Sequence, residues 1–198
     1  MLEGELIIPR NKHLLISPFT TRRIFEKLIH NEIEAAQAGK KAQITAKMNS
    51  LEDPDMIQLL YKASQAGVKI RMIVRGFTCL IPGVEGLSEN IYMTSIVDRY
   101  LEHGRIYLFH NGGDEQMYIG SADWMTRNLD RRIEVLTPIY DPDLFAELKD
   151  ILVLQLADNV KARIQDAEET NAYVKQKTGD KRIRSQYEIY DYLKLKNN

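Results

Sequence analysis

Apolar and polar positions along this chain repeat with two periods, and the switches between them mark out its elements. His13 to Ile16 (HLLI) reads as a short buried strand ended by Ser17-Pro18. Thr20 or Thr21 then caps a helix whose apolar positions Ile24, Phe25, Leu28, Ile29, Ile33 and Ala36 share one face, and Gly39 stops it. Ala42 to Met48 is a second strand. Asp53-Pro54-Asp55 combines a capping carboxylate, a proline suited to the first turn and an acid at the positive end of the helix dipole. The helix it opens turns Met56, Ile57, Leu60 and Ala63 inward and ends at Gly67. Val68 to Val74 is a third strand. The loop Arg75 to Asn90 keeps Phe77, Leu80, Ile81 and Leu87 for packing, before a strand at Ile91 to Ile96 and a helical turn at Asp98 to Glu102.

The pattern is densest after that turn. Arg105 to His110 (RIYLFH) and Gln116 to Gly120 (QMYIG) alternate, with NGGD between them, which reads as a β-hairpin because Asn-Gly supplies the positive φ a tight turn needs. Ser121-Ala122-Asp123 closes the second strand. A basic run containing Arg127, Arg131 and Arg132 leads into a further strand, Ile133 to Pro138. Asp141-Pro142-Asp143 repeats the helix-start signature, and Leu144, Phe145, Leu148, Ile151 and Leu152 form the stripe of a helix reaching Leu156. From Asp158 the chain becomes polar, with an extended arm at Asp166 to Arg184 and a terminal helix at Gln186 to Leu195. Strands and helices alternate and the hairpin adds antiparallel pairing, so the expected class is α/β with a mixed sheet flanked by helices. The expected division is a lead-in at residues 1–11, a catalytic unit at 12–165, and a charged arm with a terminal helix at 166–198.

Composition narrows the picture in one respect. The 27 basic and 28 acidic residues nearly cancel over 198 residues, so any affinity for an anion must come from local clustering. Cys79 is the single cysteine, which excludes an internal disulfide and suits a reducing compartment. With no signal peptide and no apolar run of spanning length, a cytoplasmic protein is expected. Phosphate-loop, dinucleotide-binding, nucleophile-elbow and Cys/His metal signatures are all missing.

Candidate chemistry gathers around strand ends. His103 stands at the mouth of the hairpin, where an imidazole can attack phosphorus or move a proton, and the bland alternative is a half-buried ring bonding a carbonyl. His13, His30 and His110 have weaker surroundings. Arg75 ends a strand and opens a glycine loop, where a guanidinium can fork onto phosphate oxygens or pair with Glu85 or Glu89. Arg131 and Arg132 precede a strand, so alternation directs them to opposite faces. Lys47, Asn49 and Ser50 lie at another strand end. Trp124 reads as core more readily than as a base-stacking ring. The tail cations Lys175, Lys177, Lys181, Arg182 and Arg184 read as a solvated arm.

A histidine at a strand mouth followed by a strand pair ending in Gly-Ser resembles the phospholipase-D-like superfamily. Its His-x-Lys and Gly-Ser-x-Asn motifs are changed here, with Arg105 in place of the lysine and Asp123 in place of the asparagine. DRYLEH, FHNGGD, SADWMTRN and the run Asp130 to Glu134 are similar to one branch, the bacterial polyphosphate kinases, as are LLISPF with Arg22-Arg23, AKMNSL, VRGFTCLIP, LSEN, VKAR and IYDYLK. The resemblance implies a phospholipase-D-like fold and reversible transfer of the terminal phosphate of ATP to inorganic polyphosphate through a phosphohistidine. It also implies that this chain is the last domain of the enzyme, that the nucleophile lies in a preceding domain, and that magnesium is held by ligands outside this chain. By motif, Arg75, His103 and Arg132 match residues facing the ATP phosphates, and Lys47 and Asn49 share a motif assigned with them. Implied partners are ATP and ADP, polyphosphate, the other domains of the enzyme and further copies of it, with no nucleic acid and no transmembrane segment. Membrane association of the full enzyme stays open. The alternatives are a phosphodiesterase or nuclease that pairs two copies through His103, and a module that binds nucleotide or polyphosphate without turnover.

Overall fold

A computed structural model describes residues 11–196; most of the expected lead-in lies outside them. One eight-stranded sheet organises the molecule, with strand order β1-β7-β6-β5-β2-β3-β4-β8. At its centre, β2 (Gln43–Met48), β3 (Lys69–Val74) and β4 (Ile91–Ile96) run parallel. The hairpin β5 (Arg105–Phe109) and β6 (Gln116–Gly120) continues the sheet antiparallel to β2. β7 (Glu134–Pro138) and β1 (Leu15–Ser17) extend it on that side, and β8 (Ala162–Gln165) closes the other edge against β4.

Helices cover both faces. α1 (Thr21–Gln37) and α2 (Pro54–Gln65) bury Phe25, Leu28, Ile29, Met56 and Leu60 against Ile44, Ala46, Met48, Ile70, Met72, Tyr107 and Phe109. Asp53 caps α2 as its sequence signature predicts, its carboxylate accepting the Met56 N–H at 3.0 Å. On the opposite face α3 (Pro142–Leu156) lays Phe145, Leu148 and Leu152 over Ile106, Leu108 and Met117. α4 (Ser185–Lys196) packs on α3, with Tyr192 donating to Asp150 and Lys196 paired with Glu147.

Two interactions fasten the outer parts. Arg22 of α1 forks onto the Asp53 carboxylate at 2.9 and 2.6 Å and onto Asp130 at 2.8 and 2.7 Å, tying both helices to the turn before β7. Asp158, 2% exposed, accepts the N–H groups of Val160, Lys161 and Ala162 on one oxygen and the Ser185 N–H and hydroxyl on the other. Burial alone would raise the Asp158 pKa. The hydrogen bonds from Lys161, Ser185 and Val160 outweigh it and hold the group below its ordinary value.

Several expectations need correction. The first strand begins at Leu15, because His13 instead bonds the Tyr140 hydroxyl at 3.1 Å. Phe77 and Ile81 are half exposed at 54% and 50%, and only Leu80 of that loop set is deeply buried. Asp98 to Glu102 is not helical, since Arg184 of the arm and Gln186 of α4 hold it open. The arginine run is not strand: Arg127–Arg131 forms a π-helical turn, so strand alternation does not govern Arg131. The hairpin itself stands as expected: its connection is a short 3-10 turn in which Asn111 and Gly112 take the positive φ, joined by Gly113. The extended arm is fastened to the sheet, with Val174 N–H donating to Ala162 C=O and Ile164 N–H to Ala172 C=O. No helix among the described residues is long and apolar enough to cross a membrane.

A methyl group on Gly120 would lie 2.3 Å from the Val135 carbonyl and 2.7 Å from Leu136 Cα, so β6 and β7 meet only over a glycine. Gly120→Ala is expected to lose about 2 kcal/mol or more in urea unfolding. Because the Asp158 pKa is depressed in the folded state, its stabilisation is fully present above the ordinary carboxylate value of 3.8 and disappears as pH falls below it. Asp158→Asn is therefore expected to be less stable than wild type at neutral pH, with the gap closing in acid; unfolding curves taken at a series of pH values would show it.

Candidate active site

The parallel strands β2, β3 and β4 all end at one edge of the sheet. Because β5 is antiparallel to β2, pairing Ile106 with Lys47, the hairpin begins at that same edge. β6 ends there and β7 starts there, with Gly120 opposite both Arg105 and Leu136. Residues distant in sequence therefore meet there. Asn49, Ser50, His103, Arg105, Ser121, Asp123, Arg127, Asn128, Arg132 and Glu134 line an open cleft of about 470 Å³.

Asp123 is the hinge of the cleft. Its carboxylate is 5% exposed and is forked by Arg105, with Nε and Nη2 each at 3.1 Å. The same Oδ1 accepts the backbone N–H of Asn49 at 2.8 Å, fixing the end of β2 to the hairpin. Arg105 also donates from Nη1 to the His103 carbonyl at 2.8 Å. All three nitrogens of this guanidinium thus point into the protein.

Asn49 passes the constraint on. Its Oδ1 accepts from Arg75 Nη2 at 2.6 Å and Nε at 3.2 Å, which aims the guanidinium at the cleft rim. Arg75 Nη2 lies 3.4 Å from His103 Nδ1. A guanidinium can only donate, so this contact uses the Nδ1 lone pair and leaves the ring proton on Nε2. The exposed His103 ring is thereby turned with an N–H outward. Gly76 carries the backbone past Asn49 at close range; a methyl there would sit 2.7 Å from the Asn49 carbonyl.

The sequence-derived candidates divide. Arg75, His103 and Asn49 form one chain of contacts, and Arg132 lines the same cleft from the approach to β7. Lys47 does not join them. It lies on the α3 face of β2, in a neighbouring recess, paired with Glu102. Trp124 is fully buried, stacked on Tyr107 at 5.2 Å between centroids, so it is core and not a base platform. His13, His30 and His110 lie outside the cleft. Sequence reasoning missed the Arg105–Asp123 pair, although an acid in place of the motif's neutral asparagine, beside an arginine in place of its lysine, was a signal for it. It also missed Glu102 and the Asn128–Glu134 bond, for which nothing local pointed the way.

Charge is what the cleft offers. Arg75, Arg105, Arg127 and Arg132 approach it, against the two carboxylates Asp123 and Glu134. Asp123 is consumed by Arg105, and Glu134 accepts from Asn128. Arg127 and Arg132 make no ion pair within the described residues, so the cleft has a net positive field and unspent donors. The arrangement can bind a multiply charged phosphate and stabilise charge building up on it. Among the described residues no group of three or more His, Cys, Asp or Glu side chains could hold a metal.

Comparison with known proteins shows the family to which the chain belongs. Residues 14–186 match the family model described as polyphosphate kinase C-terminal domain 2. Polyphosphate kinase of Vibrio parahaemolyticus is 54% identical over 182 residues, covering 92% of this chain but 26% of that protein. Polyphosphate kinase of Escherichia coli K12 is 49% identical over 183 residues, with the same coverage. The chain therefore spans about a quarter of the length of these curated relatives. The crystal structure of polyphosphate kinase from Porphyromonas gingivalis superposes with a TM-score of 0.92 at 46% identity, over 96% of this chain and 29% of that one. A phospholipase D family member from Salmonella typhimurium, Nuc, superposes at 0.53 with 15% identity, over 77% of this chain and 96% of that one, which shows a shared fold.

Removing one partner of a buried ion pair strands the other. Asp123→Ala leaves Arg105 unpaired and frees the Asn49 N–H, and is expected to destabilise the domain by about 3 kcal/mol. Arg105→Lys, which keeps the charge and loses the fork, is expected to lose less, about 1–2 kcal/mol. Urea titrations of the two variants would rank them.

Proposed function

The chain belongs to the polyphosphate kinase family, as its C-terminal domain 2, and on that premise we propose that it supplies the ATP-phosphate site of a full-length polyphosphate kinase. The reaction is reversible transfer of the terminal phosphate of ATP to inorganic polyphosphate. The observation that carries this reading is the convergence of Arg75, His103 and Arg132 on one positively charged cleft, with Asn49 orienting the first of them.

Phosphoryl transfer asks a protein chiefly to position the triphosphate and neutralise charge on its oxygens. Arg75, held by Asn49 and set against His103, presents its guanidinium at the rim, and Arg132 faces it from the β7 side. His103, with its proton on Nε2, donates a hydrogen bond to a phosphate oxygen and stabilises the charge that develops there. The bond from the bridging oxygen to the terminal phosphorus breaks, and the phosphoryl group passes to a histidine in another domain of the enzyme and then to the end of a polyphosphate chain. Arg105 takes no part in contacting substrate, because its donors are spent on Asp123 and His103. That commitment also counts against a phosphodiesterase in which residue 105 would grip the substrate.

Magnesium, which the family implies, does not find a ligand set in this cleft. Asp123 is occupied by Arg105 and the Asn49 N–H, and Glu134 by Asn128, so no step is assigned to the ion here. We assign residues 12–165 to the phospholipase-D-like unit and 166–198 to its arm and terminal helix, working in the cytoplasm with the other domains of an oligomeric enzyme.

In the full-length enzyme, Arg75→Ala, Arg132→Ala and His103→Ala are each expected to lower kcat/KM for ATP by roughly 100-fold or more, as loss of a preorganised charge donor does. Arg131→Ala, one residue from Arg132 but outside the cleft, should stay within about twofold. The isolated chain, incubated with ATP labelled at its terminal phosphate, should take up no acid-labile label. Unchanged turnover in His103→Ala, or labelling of the isolated chain that is lost with His103, would overturn the assignment.

A further inference from the structure

His103 is oriented by a segment with no secondary structure of its own. Asp98 to Gly104 lies between β4 and β5 without a helix or strand, and the imidazole makes one polar contact, to Arg75. Arg105 holds the His103 carbonyl, and what fixes the rest of the segment comes from far along the chain. The Gln186 side chain, in the first turn of α4, forks the Tyr100 peptide: Oε1 accepts the Tyr100 N–H at 3.0 Å and Nε2 donates to its carbonyl at 2.8 Å. The second proton of that nitrogen goes to Glu102 Oε1 at 3.0 Å, so every hydrogen-bonding position of the amide nitrogen is used on this segment. Two residues earlier in the arm, Arg184 forks the buried Asp98 carboxylate at 2.7 and 2.6 Å.

Glu102 is held from the other side as well. Its Oε2 accepts from the Lys47 ammonium of β2 and from the Gln155 amide of α3. Lys47 and Gln155 are only 8% and 2% exposed. A buried ammonium is tolerable only beside a carboxylate, so Lys47 dictates where Glu102 must lie, one residue before His103. Ile151, Ile189 and Tyr100 wall the recess in which these groups meet.

We propose that Gln186, with Lys47, Glu102 and Gln155, forms a clamp by which the C-terminal helix positions His103 for phosphoryl transfer. Gln186 and Glu102 are positioning residues, outside the substrate cleft, and the clamp rests on the phosphate-site role given to His103 above. Loosening it leaves Arg75 and Arg132 in place, so ATP still binds while the imidazole loses its set direction. A misplacement of about 1 Å at a reacting group can lower a rate by about 100-fold without loss of binding.

The test uses the full-length enzyme that carries this domain, with the variants Gln186→Ala, His103→Ala, the two combined, and Lys196→Ala. Lys196→Ala removes the Glu147 pair of the same helix without touching the segment before His103. Gln186→Ala is expected to lower kcat roughly 10- to 100-fold with the Kd for ATP within about threefold. Combined with His103→Ala it should cause no further loss, because both act on the same imidazole. Gln186→Glu, which keeps the acceptor for the Tyr100 N–H but sets a carboxylate against Glu102, should not rescue, whereas Lys196→Ala should keep wild-type kcat. An unchanged kcat in Gln186→Ala beside a crippled His103→Ala would sink the clamp alone. Losses that multiply in the double variant, or an equal loss in Lys196→Ala, would sink it too by showing a general weakening of α4. A fully active His103→Ala would instead remove the role of His103, and the clamp would fall with it.

Discussion

The site depends on one buried carboxylate. Asp123 takes the Arg105 guanidinium and the Asn49 N–H together, and so joins the end of a parallel strand to both strands of the antiparallel hairpin. Without that junction the two halves of the sheet would share pairing but not a common edge geometry. Asn49 would be free to turn, and with it Arg75. The pair is buried deeply enough that neither member can be spared, yet its charges cancel, so it adds rigidity to the cleft without consuming the cleft's positive field.

That field is local. The chain as a whole is almost neutral, at a formal charge of −1. The cleft is positive because its two acids are paired with other cleft residues while Arg127 and Arg132 are left open. Elsewhere acids and bases neutralise one another across elements, as in Arg22 with Asp53 and Asp130, or Arg184 with Asp98. Those pairs shape the fold: Arg22 and Asp53 lock the helix starts, and Arg184 anchors the arm.

Much of this was legible in the chain. Helix starts at Asp53 and Asp141, the alternating hairpin strands and the positions of the central strands were readable because each rests on a local rule: capping, alternation, or a continuous apolar stretch. So were Arg75, His103 and Arg132, through strand ends and motif resemblance. What escaped reading was set by partners far away in sequence. Lys47 shares a motif with Asn49 but faces the other side of the sheet, toward Glu102, and strand alternation near the disrupted end of β2 does not reveal that. Asp98 to Glu102 had the composition of a helical turn, yet Arg184 and Gln186 hold it in an irregular bend. The arginine run forms a π-turn that buries Asn128 and Leu129, and no local rule in the sequence signals it.

The first strand has a consequence for how the domain assembles. Among the described residues β1 pairs only with β7, so Leu15 waits for Leu136. During synthesis the opening strand of the domain has no sheet to join until more than a hundred later residues have emerged, and the central strands can pair before it does. α1, which follows it directly, must find the core through Phe25 and Ile29 while its own leading strand is still unpaired. The seam between β1 and β7 thus closes only after β7 has emerged, and it closes at the edge where Arg132 stands, so the cleft cannot be completed by the central strands alone.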